Sequence, residues 1–351
     1  MATLTEVSFY TRRIIKWSII VILIVMITPF VWRLSKRIYL ALWPPPPPPP
    51  TVRYGILPRL GWDLPLEPYK PQMRLETIRG VLPTLPNIGR VYFVETSKSR
   101  ILALDKIKAK AKSLGFVQNP VQINDRTYKF THSLENASLV VDIISDNINY
   151  KYDWEQDTEI SSANVIADQN QITGESKSFF QNLGLLPGDI SDSRINITYL
   201  TARGENMIAA IAPSEANFVR ADLYRIDRDN LKFVTSTAIS SPINITFGSG
   251  RNQGRKVILA NYNYSKTLDN DFATYPLKPV QSAWEELIQG GGYIAKSAGT
   301  SVVVRSASLA YFEPDYPQRF LQPVYVFEGD GGFTAYVQAV APEYVDLAQP
   351  K

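Results

Sequence analysis

The residue types that most often carry out protein chemistry are scarce in this sequence. The chain has no cysteine, and His132 is its only histidine. Disulfides, cysteine nucleophiles, thiolate metal sites and zinc sites with several histidines are therefore excluded. Any Ser-His-Asp triad would have to use His132. That residue ends a predicted strand, which is typical of a structural histidine.

Two short segments invite a ligand-binding interpretation. The glycine-rich segment 248–254 follows a predicted strand, but its spacing matches neither GxGxxG nor GxxxxGK[ST], and another strand follows it. We therefore expect a hairpin loop rather than a phosphate site. The second segment is acidic and consists of Asp146, Asp153, Glu155, Asp157 and Glu159. Its oxygens suit Ca²⁺, but it lacks the sixth-position glycine of an EF-hand loop, so we expect a solvated connection.

The sequence consequently predicts no catalytic residue, no cofactor and no metal. A glycan hydrolase that uses two carboxylates needs neither cysteine nor histidine, and it stays the less favoured alternative.

Aromatic residues are concentrated near the C-terminus. They are Tyr311, Phe312, Tyr316, Phe320, Tyr325, Phe327, Phe333 and Tyr336. Strand alternation places most of them in a core. The others are candidates for an exposed surface that binds a partner protein, and we assign this role to Tyr311, Phe312, Tyr316 and Phe320.

The net excess of positive charge is confined to the N-terminal segment. Residues 1–43 contain six basic residues and one acidic residue, a net charge of +5, and the whole chain carries +4, so the remainder sums to −1. A nucleic-acid partner therefore has no electrostatic support.

Residues 1–43 are predicted to form an N-terminal tail and a transmembrane anchor. Residues 17–32 carry no charge, and a helix over about 14–42, kinked at Pro29, would cross the ~30 Å of hydrocarbon in a bilayer. The predicted interfacial residues are Trp17, Trp32, Arg33, Lys36, Arg37 and Trp43. A cleavable signal peptide is the competing interpretation, but no small-x-small cleavage site follows. Three basic residues lie on each side, and the short N-terminal tail favours a cytoplasmic N-terminus with the large domain outside.

Residues 44–89 are predicted to be a stalk and an extended proline-rich segment. Seven consecutive prolines, 44–50, favour a polyproline II rod of ~3.1 Å per residue. We expect it to act as a spacer, and a ligand for a proline-reading module is the alternative.

Three units of one short helix and several strands follow, at 90–155, 156–270 and 271–342, before a tail at 343–351. The first two predicted helices span 99–114 and 162–184, the second with a break at 173–174. The third helix carries an apolar stripe of Val280, Ala283, Trp284 and Leu287. Helices laid on antiparallel sheets predict the α+β class.

The last unit carries a family resemblance. A helix with Ala283 and Trp284, a glycine stop, Ala310-Tyr311, residues 321–327 and residues 335–337 resemble PepSY-like domains and the YycH/YycI-type membrane-anchored regulators. The resemblance covers about the last 80 residues and does not include the proline run. It implies one N-terminal span and an extracytoplasmic helix-on-sheet domain, and some proteins of this type restrain a sensor histidine kinase.

The sequence therefore predicts a single-pass, membrane-anchored extracytoplasmic binding or regulatory module without catalysis. Its expected partners are the lipid bilayer and another envelope protein, and its oligomeric state is left open. A structural tethering component of an envelope, secretion or surface-appendage assembly is the alternative function.

Overall fold

The computed structural model describes residues 4–42, 48–62, 71–95, 103–165, 168–238, 240–250, 256–314, 316 and 318–346. The chain divides into two compact units, residues 1–49 and 50–351. The first consists mainly of one helix, and the second is an α+β domain.

Helix α1 spans Leu4–Leu42 and contains the predicted membrane anchor. Its segment Ile15–Leu40 is long and apolar enough to cross a membrane, and none of it is buried against protein. With 26 residues at ~1.5 Å per residue, this segment exceeds the ~30 Å of a hydrocarbon core. The helix continues through Pro29 and begins ten positions before the predicted start at 14. Extension of an existing helix costs less than nucleation of a new one, so the apolar segment supports the polar turns before it.

The domain contains four α-helices and nineteen strands among its described residues. The helices are α2 Ala103–Ser113, α3 Thr158–Ser162, α4 Gln169–Asn182 and α5 Val280–Ile288. The first ten strands are β1 Leu57–Pro58, β2 Gln72–Leu75, β3 Ile88–Val94, β4 Val121–Gln122, β5 Thr127–Thr131, β6 Ala137–Asp142, β7 Ile148–Tyr152, β8 Ile190–Arg203, β9 Asn206–Ala209 and β10 Phe218–Arg225. The others are β11 Lys232–Val234, β12 Ile243–Phe247, β13 Val257–Tyr262, β14 Thr267–Pro276, β15 Tyr293–Lys296, β16 Ser301–Phe312, β17 Phe320–Gly329, β18 Thr334–Gln338 and β19 Val345–Asp346. Short helices and multiple antiparallel sheets confirm the predicted α+β class.

The first lobe is built on a nine-stranded antiparallel sheet with the order β4-β5-β6-β7-β13-β12-β10-β8-β9. Helices α2, α3 and α4 contribute side chains to the core of this lobe, including Ile107, Ile160 and Phe180. The residues of β6 alternate strictly between buried and half-buried positions. Successive side chains of a strand point to opposite faces, so one face of β6 packs into this core. Most strands of the first two predicted units thus lie in one sheet, whereas β3, β11 and β14 belong to the second lobe.

The helical region of this lobe is interrupted between α3 and α4, where residues 163–165 and 168 are not helical, and not at the predicted 173–174. Two aspartates begin the two helices: Asp157 accepts hydrogen bonds from backbone N–H groups at the start of α3, and Asp168 does so at the start of α4. An N-cap of this kind satisfies amides that have no partner inside a helix. Between them, the Ala163 carbonyl accepts from the Asn217 side chain, which holds the chain in a non-helical path.

The second lobe is an eight-stranded sheet in which β16 and β17 form the central hairpin. The stripe predicted on α5 is confirmed, since Ala283, Trp284 and Leu287 are buried against this sheet. Strands β17 and β18 are joined at residues 330–332, where Gly331 and Gly332 adopt positive φ values of 66° and 75°. Positive φ values of this kind favour glycine and are typical of a tight hairpin connection.

An extended segment, residues 50–62, lies along the second lobe and is called the strap. It pairs with β19 through the two residues of β1, in parallel. Leu57 and Leu60 are 0% and 4% exposed, and the Trp62 ring stacks on Tyr293 at 5.4 Å. The extended chain expected along the domain surface is therefore integrated into the domain.

Buried charge connects the two lobes. Arg225, at the end of β10, donates to Asp189 Oδ2 at 2.8 Å and to Glu313 Oε1 at 2.9 Å. The guanidinium also donates to the Ser265 carbonyl and to the Thr267 hydroxyl. Burial raises the pKa of Glu313, and the nearby Arg225 charge opposes that shift. Arg225 and Glu313 are 4% and 2% exposed, so this ion pair is held in a low-dielectric interior.

Candidate functional site

The predicted anchor residues that the structure describes all lie on α1. They are Trp17, Trp32, Arg33, Lys36 and Arg37, and all five are exposed. Trp43 lies outside the described residues, as do residues 44–47 of the proline run, while residues 48–50 have no regular secondary structure.

The predicted aromatic partner surface is wrong for three of its four residues, because Tyr311, Phe312 and Phe320 are buried. Tyr311 and Phe312 are 0% and 1% exposed, because β16 lies inside its sheet and side chains cover both of its faces. The Tyr311 hydroxyl donates to Asp229 Oδ2 at 2.8 Å, and Phe312 packs edge-on against Trp62 at 4.8 Å. Neither side chain is accessible to a partner in this structure.

Tyr316, which is half-buried, and Phe320, which is 6% exposed, line a cavity of about 1530 Å³. Its walls come from the strap, from β3, from β14, from residues 316–322 and from β19. Five of its lining residues carry charge: Arg53, Arg59, Arg319, Asp271 and Asp346. We call this cavity the arginine groove. The sum of these charges is +1.

Arg53 and Asp271 form an ion pair on one wall of the arginine groove. The Tyr54 hydroxyl donates to Asp271 Oδ1 at 2.8 Å, and Arg53 donates to the Tyr54 oxygen at 3.1 Å. Partial burial raises the pKa of Tyr54 and Asp271 adds to that rise, whereas Arg53 lowers it. These three side chains satisfy one another and leave little charge for a ligand.

Arg59 and Arg319 differ from Arg53, because neither forms an ion pair with any residue that the structure describes. Arg319 is exposed, and its guanidinium carbon lies 5.4 Å from the centre of the Phe320 ring. Arg59 is half-buried on the strap. A guanidinium presents five N–H donors in a planar fork, so these two side chains retain most of their capacity to bind an anion.

Polar side chains fix the strap beside these arginines. Gln322, 1% exposed, donates to the Pro58 carbonyl at 2.9 Å, and Gln338 donates to Gln322 at 2.8 Å. The Tyr316 hydroxyl donates to the Gly61 carbonyl. These bonds replace the backbone ladder that a proline-containing strand cannot complete. The position of Arg59 is therefore set by side chains more than by a sheet.

The candidates singled out from residue type have structural roles. His132 Nδ1 accepts backbone N–H bonds from Leu134 at 3.2 Å and Glu135 at 2.9 Å, and its ring packs edge-on against Phe116. Gly248 begins the connection between the antiparallel strands β12 and β13, and residues 251–254 of the predicted loop lie outside the described residues.

The acidic segment forms local contacts. Lys151 pairs with Asp153 and with Glu155, and Asp157 caps α3. Over the described ranges, no group of three or more His, Cys, Asp or Glu residues has an arrangement that could hold a metal ion.

Sequence reasoning missed the arginine groove. Arg53 and Arg59 lie in a proline-rich segment that the composition marked as a stalk, and Arg319 lies more than 250 positions later. The available signal was weak: an apolar extended segment that retained two isolated arginines.

Comparisons with known proteins identify structural similarities only. No protein-family model matches the chain, and no curated protein sequence matches it significantly. An uncharacterized protein from Eubacterium rectale, with a crystal structure at 1.45 Å, is 10% identical with a TM-score of 0.38, covering 72% of this chain and 82% of that chain. The Bacillus megaterium YpeB C-terminal domain is 10% identical with a TM-score of 0.32, covering 70% of this chain and 95% of that chain. Similarity at this level identifies neither a family nor a function.

Proposed function

We propose that this protein is a single-pass membrane protein whose α+β domain lies outside the cytoplasm and binds another envelope protein through the arginine groove. The N-terminus is cytoplasmic in this proposal, and the domain carries out no catalysis of its own. The observation that carries the proposal is the pair Arg59 and Arg319, which line a large cavity without an acidic partner among the described residues.

Membrane attachment is supported by the composition of α1. Apolar side chains are exposed along Ile15–Leu40. Contact of this surface with water is unfavourable, and a lipid bilayer would remove that contact. Basic residues lie at both ends of the apolar segment, where they can reach lipid phosphates.

Binding without catalysis is supported by the chemistry of the groove. A glycan hydrolase needs two carboxylates that are available to the substrate. Asp271 is already paired with Arg53, and its Oδ1 atom accepts hydrogen bonds from both Arg53 and Tyr54. The groove combines cations with aromatic and apolar side chains, a composition enriched at protein interfaces.

Site-specific photocrosslinking in the native membrane tests the proposal. A photoreactive residue replaces Ile56, which lines the groove and is 67% exposed. The matched control replaces Ile211, which is 96% exposed and follows β9 in the first lobe. Each version is combined with the double variant Arg59→Gln/Arg319→Gln, and captured proteins are identified by mass spectrometry.

We expect one envelope protein to be captured from position 56, not from position 211, and to be lost in the double variant. Equal capture from both positions, or capture that survives the double variant, would contradict groove binding.

The alternative role in structural tethering predicts a different result: capture of an assembly component, with function unchanged when α1 is exchanged for an unrelated apolar helix. A regulatory role predicts that this exchange alters function.

A further inference from the structure

Unused hydrogen-bonding capacity in the arginine groove identifies the kind of group that a ligand must offer. Arg59 and Arg319 are donors only, and they have no ion-pair partner in the part of the chain that the structure describes. Carboxylate is the protein group that matches a guanidinium fork, because it accepts two parallel N–H bonds. The strap and the residues before β17 each contribute one of these arginines, so a ligand that uses both must bridge the two segments.

The size of the groove favours a ligand larger than a typical small molecule. Its volume of about 1530 Å³ exceeds the ~300–1,000 Å³ that is usual for a small-molecule site. A peptide in an extended conformation advances ~3.3–3.6 Å per residue and presents alternate side chains to opposite sides. Such a chain can occupy a large cavity and reach cations on two separate segments.

Apolar surface beside the arginines adds a second requirement. Ile56 is 67% exposed and lines the groove, although it lies next to the fully buried Leu57. A ligand that covers Ile56 removes apolar area from water, which contributes ~25 cal/mol per Å². A purely polar anion would leave this surface exposed.

The aromatic rings favour a peptide over a glycan. Sugar rings bind on open aromatic faces, but the Trp62 ring is stacked on Tyr293 with an interplanar angle of 8°. Phe320 is packed between Tyr54 and Phe93, with ring centres 5.0 and 5.9 Å away. These rings act as walls of the groove rather than as stacking platforms.

We infer that the arginine groove binds an extended peptide segment in which acidic residues alternate with apolar ones. Its carboxylates pair with Arg59 and Arg319, and its apolar side chains cover Ile56. This inference rests on the proposed function and specifies the chemistry of the partner's bound segment.

Fluorescence anisotropy with the full-length protein in detergent micelles tests the inference. The first probe is a labelled peptide of about eight residues, up to ~28 Å long, in which Glu alternates with Leu and Ser. The second replaces every Glu with Gln, and the third is a labelled oligogalacturonate that carries carboxylates on a glycan. Arg59→Gln, Arg319→Gln and the control Arg203→Gln are compared. Arg203 is exposed at the end of β8, in the first lobe, and forms no ion pair with a described residue.

We expect the Glu peptide to bind at least about tenfold more tightly than the Gln peptide, and each groove substitution to reduce its affinity about tenfold. Arg203→Gln should leave the affinity unchanged, and unfolding curves of all variants show whether each one is folded. Equal binding of the Glu and Gln peptides, or an equal loss in Arg203→Gln, would overturn the inference. Tighter, arginine-dependent binding of the oligogalacturonate would overturn the peptide assignment alone. Failure of the proposed function has a separate signature, the loss of position-specific crosslinking in the membrane.

Discussion

Replacement of Arg225 by methionine is expected to destabilise the domain strongly. The guanidinium is 4% exposed and donates to Asp189, Glu313, Ser265 and Thr267. Methionine fills a similar volume without charge or donors. The substitution therefore leaves the Glu313 carboxylate, 2% exposed, without its cation.

The expected loss follows from that stranded charge. Removal of one partner from a buried ion pair costs about 3–5 kcal/mol, against a total unfolding free energy of about 5–15 kcal/mol for a domain. Addition of Glu313→Gln removes the stranded charge and should recover about 1–3 kcal/mol. The two substitutions are therefore expected to be non-additive, as contacting residues are.

The dependence on pH has a defined sign. Burial raises the pKa of Glu313, and loss of the opposing Arg225 charge raises it further. A carboxyl group whose pKa is raised on folding contributes stability that is complete below the unfolded value of about 4.3 and is lost as pH increases through the folded value. The destabilisation by Arg225→Met should therefore be smaller near pH 4 than near pH 8.

Urea unfolding of the full-length protein in micelles, followed by tryptophan fluorescence, measures these differences. Arg203→Met is the control, since Arg203 is exposed and forms no ion pair with a described residue. A loss from Arg225→Met no larger than that of the control would refute the assignment of Arg225 as the link between the lobes. A loss that does not change with pH would refute the role of Glu313.

Three further predictions concern other positions of the domain. Gly292→Ala should destabilise the domain more than Gly299→Ala, as measured by denaturation midpoints. Both glycines have positive φ, which costs an alanine ~1–2 kcal/mol. Only at Gly292 would the new Cβ also lie 2.5 Å from a β18 carbonyl oxygen. Burial raises the pKa of Tyr325 to about 12, so the unfolding free energy should fall between about pH 10 and 12, where only the unfolded tyrosine ionises, and Tyr325→Phe should reduce that fall in alkaline titrations. Leu57→Ala should loosen the strap at a cost of ~2–5 kcal/mol and increase its proteolysis, whereas Ile56→Ala should change it little.

Elements with a single buried face could be predicted from the sequence. The stripe of α5 required only the period of a helix. It faces the core as the pattern indicated, because the opposite face of the helix is not buried.

Strand β10 shows why the same reasoning failed where both faces are covered. Polar and apolar residues alternate along much of this strand, a pattern typical of a sheet with one solvated face, but Asp222 is 0% exposed and Arg225 is 4% exposed. Asp222 is paired with Arg220 and accepts a hydrogen bond from the Ser241 backbone. Arg225 is neutralised by Asp189 and Glu313, which belong to other segments, and a local period contains no information on such distant partners.

The arginine groove depends on long-range pairing in the same way. Gln322 and Pro58, whose side chain and carbonyl join the strap to β17, are 264 positions apart. The proline content of the strap correctly indicated an extended chain, but it gave no sign that Leu57 and Leu60 would be buried. Composition describes the conformation of such a segment and not the surface on which it packs.

Docking of the strap and binding in the groove must therefore be thermodynamically linked. Two of the three groove arginines, Arg53 and Arg59, belong to the strap, and the third, Arg319, belongs to the segment that precedes β17. A ligand that bridges Arg59 and Arg319 binds only the docked arrangement, so it stabilises that arrangement in proportion to its concentration above Kd. The coupling is reciprocal: any force or partner that detaches the strap must lower the affinity for the ligand by the same factor. Since the strap begins at the last residue of the proline run that follows α1, the segment that leads from α1 is itself part of the proposed ligand site.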